Sequence, residues 1–156
     1  MNIATPDDMR AFGLTLAGTL RAGDLVLLSG PLGAGKTTLT QGIVAGLGGK
    51  GPVVSPTFVI ARVYRGGRLP VLHVDAYRIG SIAEIDDLDL DASTDESVTL
   101  VEWGNGLVEG LVEDYLEVRI TRPIGGEMDA EVEPRTIEVA GYGERWADVE
   151  LAAANR

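Results

Sequence analysis

The 156-residue chain has no cysteine, one histidine and two lysines, and no run near the ~18 apolar residues that a membrane span needs. Without cysteine there is no disulfide framework, no thiolate metal site and no thiol nucleophile. With His73 the sole histidine, no histidine metal cluster can form. Thirteen Lys+Arg stand against 24 Asp+Glu, a net charge of −11. That balance argues against holding a polyanion on a basic face, since neutralising phosphates takes clustered Lys and Arg. Any anion must be bound locally. No Asn-Lys dipeptide occurs, so the base-reading Asn-Lys-x-Asp motif of a GTPase is missing. The opening MNIATPDDMR carries acids where a secretory signal carries a basic region, which makes a cytoplasmic location, with no membrane partner, the expectation.

Glycine is plentiful, at 21 of 156 residues, and its clusters cut the chain into short periodic segments of the kind an α/β domain shows. Thr5-Pro6-Asp7-Asp8 reads as a helix start: Thr5 as N-cap, Pro6 in the first turn, two acids at the positive end of the dipole. Met9, Phe12, Leu16 and Leu20 then recur at helical spacing, predicting a helix to about Leu20. Leu25-Val26-Leu27-Leu28 reads as a strand buried on both faces. A second helix is predicted from about Gly35 to Leu47, stopped by Gly48-Gly49.

Two β-rich runs, 58–64 and 69–75, flank Arg65-Gly66-Gly67-Arg68 and predict a hairpin, so the sheet must mix parallel and antiparallel strands. Further on, 82–90 reads as a short acidic helix, 98–101 as a strand and 107–112 as a short helix. Tyr115 to Thr121 and Thr136 to Ala140 alternate as a terminal hairpin around a polar loop at 125–133. A single domain over 1–141 is expected, with 142–156 as a C-terminal tail in which Trp146, Val149 and Leu151 fall at roughly helical spacing.

Between the first apolar strand and the second helix lies Gly30-Pro31-Leu32-Gly33-Ala34-Gly35-Lys36-Thr37, a full match to G-x-x-x-x-G-K-[ST]. Glycines let successive backbone N–H groups converge on a phosphate, and the following helix N-terminus adds unpaired donors and positive potential. Lys36 is placed to reach the β- and γ-phosphates, the Thr37 hydroxyl to ligate Mg²⁺, and Thr38 to touch the α-phosphate side. This also answers the charge problem, because backbone dipoles and one lysine hold the anion.

A phosphate loop needs an acid at a nearby strand end to hold Mg²⁺ or orient the attacking water. Asp75 closes one apolar run and Glu102 another. Glu102 follows the more continuous strand and looks more like the metal-side acid; Asp75 is then a candidate for water positioning or a more distant metal contact. Ser55-Pro56-Thr57 lies after the loop's helix, where nucleotide switches place a hydroxyl that senses the γ-phosphate. His73 reads equally as a partly buried strand histidine or a catalytic one, and Trp103 either covers the site or fills the core. The acidic stretch 84–91 has no calcium-loop spacing and reads as a solvated face or a partner surface.

Gly-Pro-Leu-Gly-Ala-Gly-Lys-Thr-Thr, Ser-Pro-Thr-Phe, His-Val-Asp-Ala-Tyr-Arg and Val-Glu-Trp-Gly, in this order, resemble the TsaE (YjeE) family of bacterial P-loop ATPases over roughly residues 5–122. The resemblance implies a three-layer α/β P-loop NTPase-like fold with a mixed parallel/antiparallel sheet. It also implies ATP hydrolysis with Mg²⁺ and assembly with TsaB and TsaD in forming threonylcarbamoyladenosine in tRNA, the transfer itself lying with TsaD and tRNA being met only through the complex. Carried over by residue, it assigns the nucleotide to Gly33, Ala34, Gly35, Lys36, Thr37 and Thr38, the metal side to Thr37 and Glu102, the switch threonine to Thr57 and the catalytic acid to Asp75. Tyr77 and Arg78 share a motif with Asp75, and Thr5 and Asn105 resemble positions flanking the adenine. Pro31 stands where many members have Asp. A small metabolite or nucleotide kinase is the competing reading, but kinases of that kind use an arginine-rich lid, and the arginines here are scattered.

Overall fold

The computed structural model describes residues 2–31, 34–49, 53, 61–75, 94–102, 113–121, 135–147 and 149. Seven strands form one sheet: β1 (Asn2–Ile3), β2 (Leu25–Ser29), β3 (Ala61–Tyr64), β4 (Val71–Asp75), β5 (Val98–Glu102), β6 (Tyr115–Thr121) and β7 (Arg135–Tyr142). Their spatial order is β1-β7-β6-β2-β5-β4-β3. The inner four, β6-β2-β5-β4, run parallel. Antiparallel pairing adds β3 at one side and β7 then β1 at the other. Both predicted hairpins are present, with Tyr64 opposite Val71 and Tyr115 opposite Tyr142. The expected mixed-sheet α/β fold is therefore the observed one.

Every residue of β2 is buried, because the strand lies in the middle of the sheet between β5 and β6 and meets apolar neighbours on both faces. Side chains alternate between the faces. Val26, Leu28, Val98, Leu100, Leu116 and Val118 join one core cluster with the residues of two helices, α1 (Pro6–Ala17) and α2 (Lys36–Gly46). Leu27, Leu72, Val74 and Val101 lie outside that cluster yet are fully buried, so the second face is shielded too, as a three-layer arrangement requires.

The two helices touch through small residues. A Cβ at Gly13 would lie 2.7 Å from the Leu39 carbonyl oxygen, and one at Gly42 would strike the Arg10 carbonyl. Helix α1 begins as predicted, Thr5 Oγ1 accepting from the Asp8 N–H at 3.1 Å with Asp7 and Asp8 in its first turn. It ends at Ala17, short of the predicted Leu20, because Gly18, Thr19 and Leu20 donate to carbonyls three residues back, the tighter turn that often finishes a helix. No basic residue occupies its last turn. That charge comes from the β3–β4 turn, where Arg68 Nη2 donates to Ala17 O and Leu20 O, both at 3.1 Å.

Strand β7 runs two residues beyond the predicted Ala140, to Tyr142. A three-residue 3₁₀ turn, Glu144–Trp146, follows. Arg145 holds it down, its Nε 2.9 Å from Asp24 Oδ1 and its Nη2 2.7 Å from Thr19 O, with its guanidinium 4.1 Å from the centre of the buried Trp146 ring. The expected helices at 82–90 and 107–112, the start of the Phe58 run, the 125–133 loop and residues 150–156 lie outside the described residues.

Candidate nucleotide site

The site forms where the parallel strands end and the chain turns into α2, at the carboxyl edge where open α/β sheets bind ligands. Past Ser29 the chain passes Gly30, whose Cβ would lie 2.7 Å from the Ile120 carbonyl oxygen; only glycine fits beside β6. Gly35 has φ +114° and is the N-cap of α2, a left-handed conformation that side chains disfavour. It supplies no side-chain cap, and the first turn of α2 has no acid. No acid of the first turn therefore offsets the positive potential at the start of α2.

Lys36 is buried and its Nζ donates to Gly30 O at 2.8 Å, so the ammonium lies back across the loop that precedes it. Burial pushes its pKa below the ordinary lysine value of 10.5, while Glu102 and then Asp75 pull it back up. Both acids feel the lysine because strand pairing brings them together: Asp75 and Glu102 are direct partners in the β4–β5 register, each almost fully buried. Glu102 lies on the same face of β5 as the core residue Leu100, two positions back, the face on which the helices pack. Thr37 and Thr38 are half-buried in the first turn of α2.

Sequence spacing does not foresee two contacts. His73 is completely buried, and its Nε2 lies 2.8 Å from Glu102 Oε2. Of the two readings of this histidine, partial burial is replaced by full burial, with a carboxylate partner. Arg135 Nε, on β7, donates to Ala34 O at 3.1 Å and ties the chain just before α2 to the far hairpin. His73 had one usable signal: two residues before Asp75 on a strand, it must share that residue's face. Arg135 had none.

Of the other expected site residues, Thr5 is at the start of α1 with its hydroxyl engaged in capping. Met9, in the next turn, approaches Gly35 closely enough that a Cβ there would be 3.1 Å from Met9 Cε, so this end of α1 adjoins the loop. Gly33, Thr57, Asn105, Tyr77 and Arg78 lie outside the described residues.

The donor set suits a hard cation. Two buried carboxylates and a hydroxyl offer oxygen ligands alone, and Mg²⁺ is commonly held by one or two carboxylates with phosphate oxygens and water completing its shell. Among the described residues no group of three or more His, Asp or Glu is placed to hold a metal ion.

A family model described as threonylcarbamoyl adenosine biosynthesis protein TsaE matches residues 3–128. The chain belongs to the TsaE family. Its TsaE relatives include the tRNA threonylcarbamoyladenosine biosynthesis protein TsaE of Streptomyces coelicolor, 56% identical over 147 residues, covering 92% of this chain and 97% of that one. The Bacillus subtilis TsaE protein is 41% identical over 118 residues, 75% of this chain and 73% of the relative. The crystal structure of Bacillus subtilis YdiB superposes with a TM-score of 0.68 at 29% identity, covering 91% of this chain and 83% of that one. Membership of the TsaE family ties the chain to threonylcarbamoyladenosine biosynthesis in tRNA. Among the described residues no helix is long and apolar enough to cross a membrane.

Proposed function

We propose that this chain binds ATP with Mg²⁺ and hydrolyses it as a cytoplasmic accessory subunit of the complex that forms threonylcarbamoyladenosine in tRNA, its ATP turnover coupled to cycling of a TsaB–TsaD-type transferase. The observation that carries this reading is the convergence of Lys36, Asp75 and Glu102 at the uncapped start of α2. One buried ammonium beside two buried carboxylates, at a helix start with no first-turn acid, is the charge pattern of a phosphate-plus-cation site.

Backbone N–H groups of Gly33 to Thr38 cradle the phosphates, and Lys36 exchanges its contact with Gly30 O for the β- and γ-phosphates. Thr37 and Glu102 hold Mg²⁺, which when bound neutralises phosphate charge. Asp75 orients the attacking water and accepts its proton as the water oxygen bonds to the γ-phosphorus and the bond to the β-phosphate oxygen breaks, releasing ADP and phosphate. Thr57 senses the γ-phosphate, and Thr5 and Asn105 flank the adenine. Arg135 steadies the loop through Ala34 O. The net charge of −11 fits a subunit that meets tRNA through its partners, with the acidic stretch 84–91 a surface for a basic one.

The test is multiple-turnover tRNA modification by TsaB and TsaD, with and without this protein and ATP. Modification that needs both supports the reading; equal turnover without the protein overturns it. ATP hydrolysis by the isolated chain is expected to be weak and to rise with TsaB and TsaD present.

A further inference from the structure

The face of β4 and β5 beneath the helices is apolar along Val71, Val98 and Leu100 and ends in Asp75 and Glu102. His73 interrupts it. Its partner across the strands is Leu100, and it is 0% exposed. An aliphatic side chain would serve packing better there, since a buried imidazole costs free energy unless its nitrogens find partners. Nε2 has one, Glu102 Oε2 at 2.8 Å; Nδ1 is buried with no hydrogen-bond partner. Among the described residues, Glu102 is therefore the hydrogen-bond partner that stabilises this ring.

We propose that His73 is a positioning residue for Glu102: by donating Nε2–H to Oε2 it fixes the plane of that carboxylate and makes it the metal-side acid of the pair. Glutamate carries three side-chain torsions, and a bond to one oxygen removes most of that freedom before any cation arrives. It also occupies one lone-pair direction of Oε2, leaving Oε1 as the oxygen His73 does not engage. Such a histidine–carboxylate contact behind a metal ligand raises affinity by holding the ligand in place. Asp75 is two residues from His73 on the same strand, so β4 carries one carboxylate and the group that orients the other. This is a physical basis for dividing the roles of Asp75 and Glu102, and it rests on the reading of Glu102 as a metal-side residue.

The experiment measures Mn²⁺ affinity by electron paramagnetic resonance on the full chain saturated with a non-hydrolysable ATP analogue, alongside affinity for that analogue in EDTA. His73→Leu keeps the burial and removes the donor; His73→Gln sets an amide donor near the Nε2 position; His73→Asn is polar but too short. About tenfold weaker Mn²⁺ binding is expected for Leu and Asn, near-native binding for Gln, and unchanged analogue affinity in EDTA for all three. If His73→Leu does not fold, the Gln and Asn pair carries the same comparison. Native Mn²⁺ affinity in Leu and Asn, with Glu102→Gln strongly impaired, overturns the positioning role but leaves Glu102 at the metal. Native affinity in Glu102→Gln removes the underlying reading itself.

Discussion

The two helices on the same face begin in opposite ways. Helix α1 completes its own N-terminus: Thr5 caps it and Asp7 and Asp8 answer its dipole. Helix α2 begins at a left-handed glycine with no side-chain cap and no first-turn acid. A cap and a first-turn acid together contribute on the order of 1–2 kcal/mol, so α2 forgoes stability that α1 takes. What it keeps is a positive end with no first-turn acid, beginning at Lys36. The first helix start serves folding; under the proposed function, the second serves an anion.

The strongest way to break this contrast is to remove the charge that completes the second site. Lys36→Ala is expected to weaken ATP binding by about 100-fold or more, the scale of losing a charge-assisted phosphate contact of ~3 kcal/mol, as read by titration of a fluorescent ATP analogue; native affinity would mean the anion site lies elsewhere. Making the two helix starts alike is the next test. Thr38→Asp puts an acid in the first turn of α2, so the nucleotide-free protein should gain about 0.5 kcal/mol in urea unfolding while ATP affinity falls about tenfold by repulsion. A loss of both would show that the bare start of α2 is not held open for an anion.

Thr5→Ala probes the other helix. It should cost about 1 kcal/mol of unfolding free energy, with tripolyphosphate affinity unchanged, since that ligand lacks the adenine; an unchanged urea midpoint would show that the cap contributes nothing.

The smallest expected effect is in pH. Because the folded-state pKa of Lys36 lies below 10.5, the unfolded chain binds more protons between the two values, and the contribution of Lys36 to the stability of the nucleotide-free protein rises with pH there. Phosphate favours the ammonium, so ATP affinity falls with pH over the same window, starting below 10.5. Calorimetric titrations across the alkaline range should show this fall, and Lys36→Ala should flatten it. A native-like fall in the variant would assign the effect to another group.

How much of this was legible in sequence follows from how far apart the cooperating residues are. The α1 cap and the β3–β4 hairpin are written in short contiguous stretches, where spacing and turn residues determine local conformation; β6 and β7 were legible as alternating strands. Asp75 and Glu102 were legible as strand ends, each by its own apolar run. Their register as direct partners was not, because it depends on β4 and β5 being neighbours. In the tail, Trp146, Val149 and Leu151 fall at roughly helical spacing; Leu151 lies outside the described residues, and the described part holds a 3₁₀ turn at 144–146, set by Gly143 at φ +91° and by Arg145 on Asp24. That partner lies 121 positions away, beyond any local pattern. Strand β1 is two residues long and exists by pairing with β7; a segment so short has no periodicity to read.

By itself the sequence determined the local chemistry: a loop whose glycines and lysine suit phosphate, strands too apolar to be exposed, a chain too acidic for a basic face and with no thiol to use. Those properties belong to neighbouring residues and survive in any arrangement of the strands. Tertiary structure alone decided that His73 meets Glu102, that Arg135 reaches Ala34 and that Arg68 closes α1. Each of these bonds joins elements whose adjacency is set by strand order, and strand order is fixed by the collective burial of both sheet faces, a quantity no short window of sequence contains.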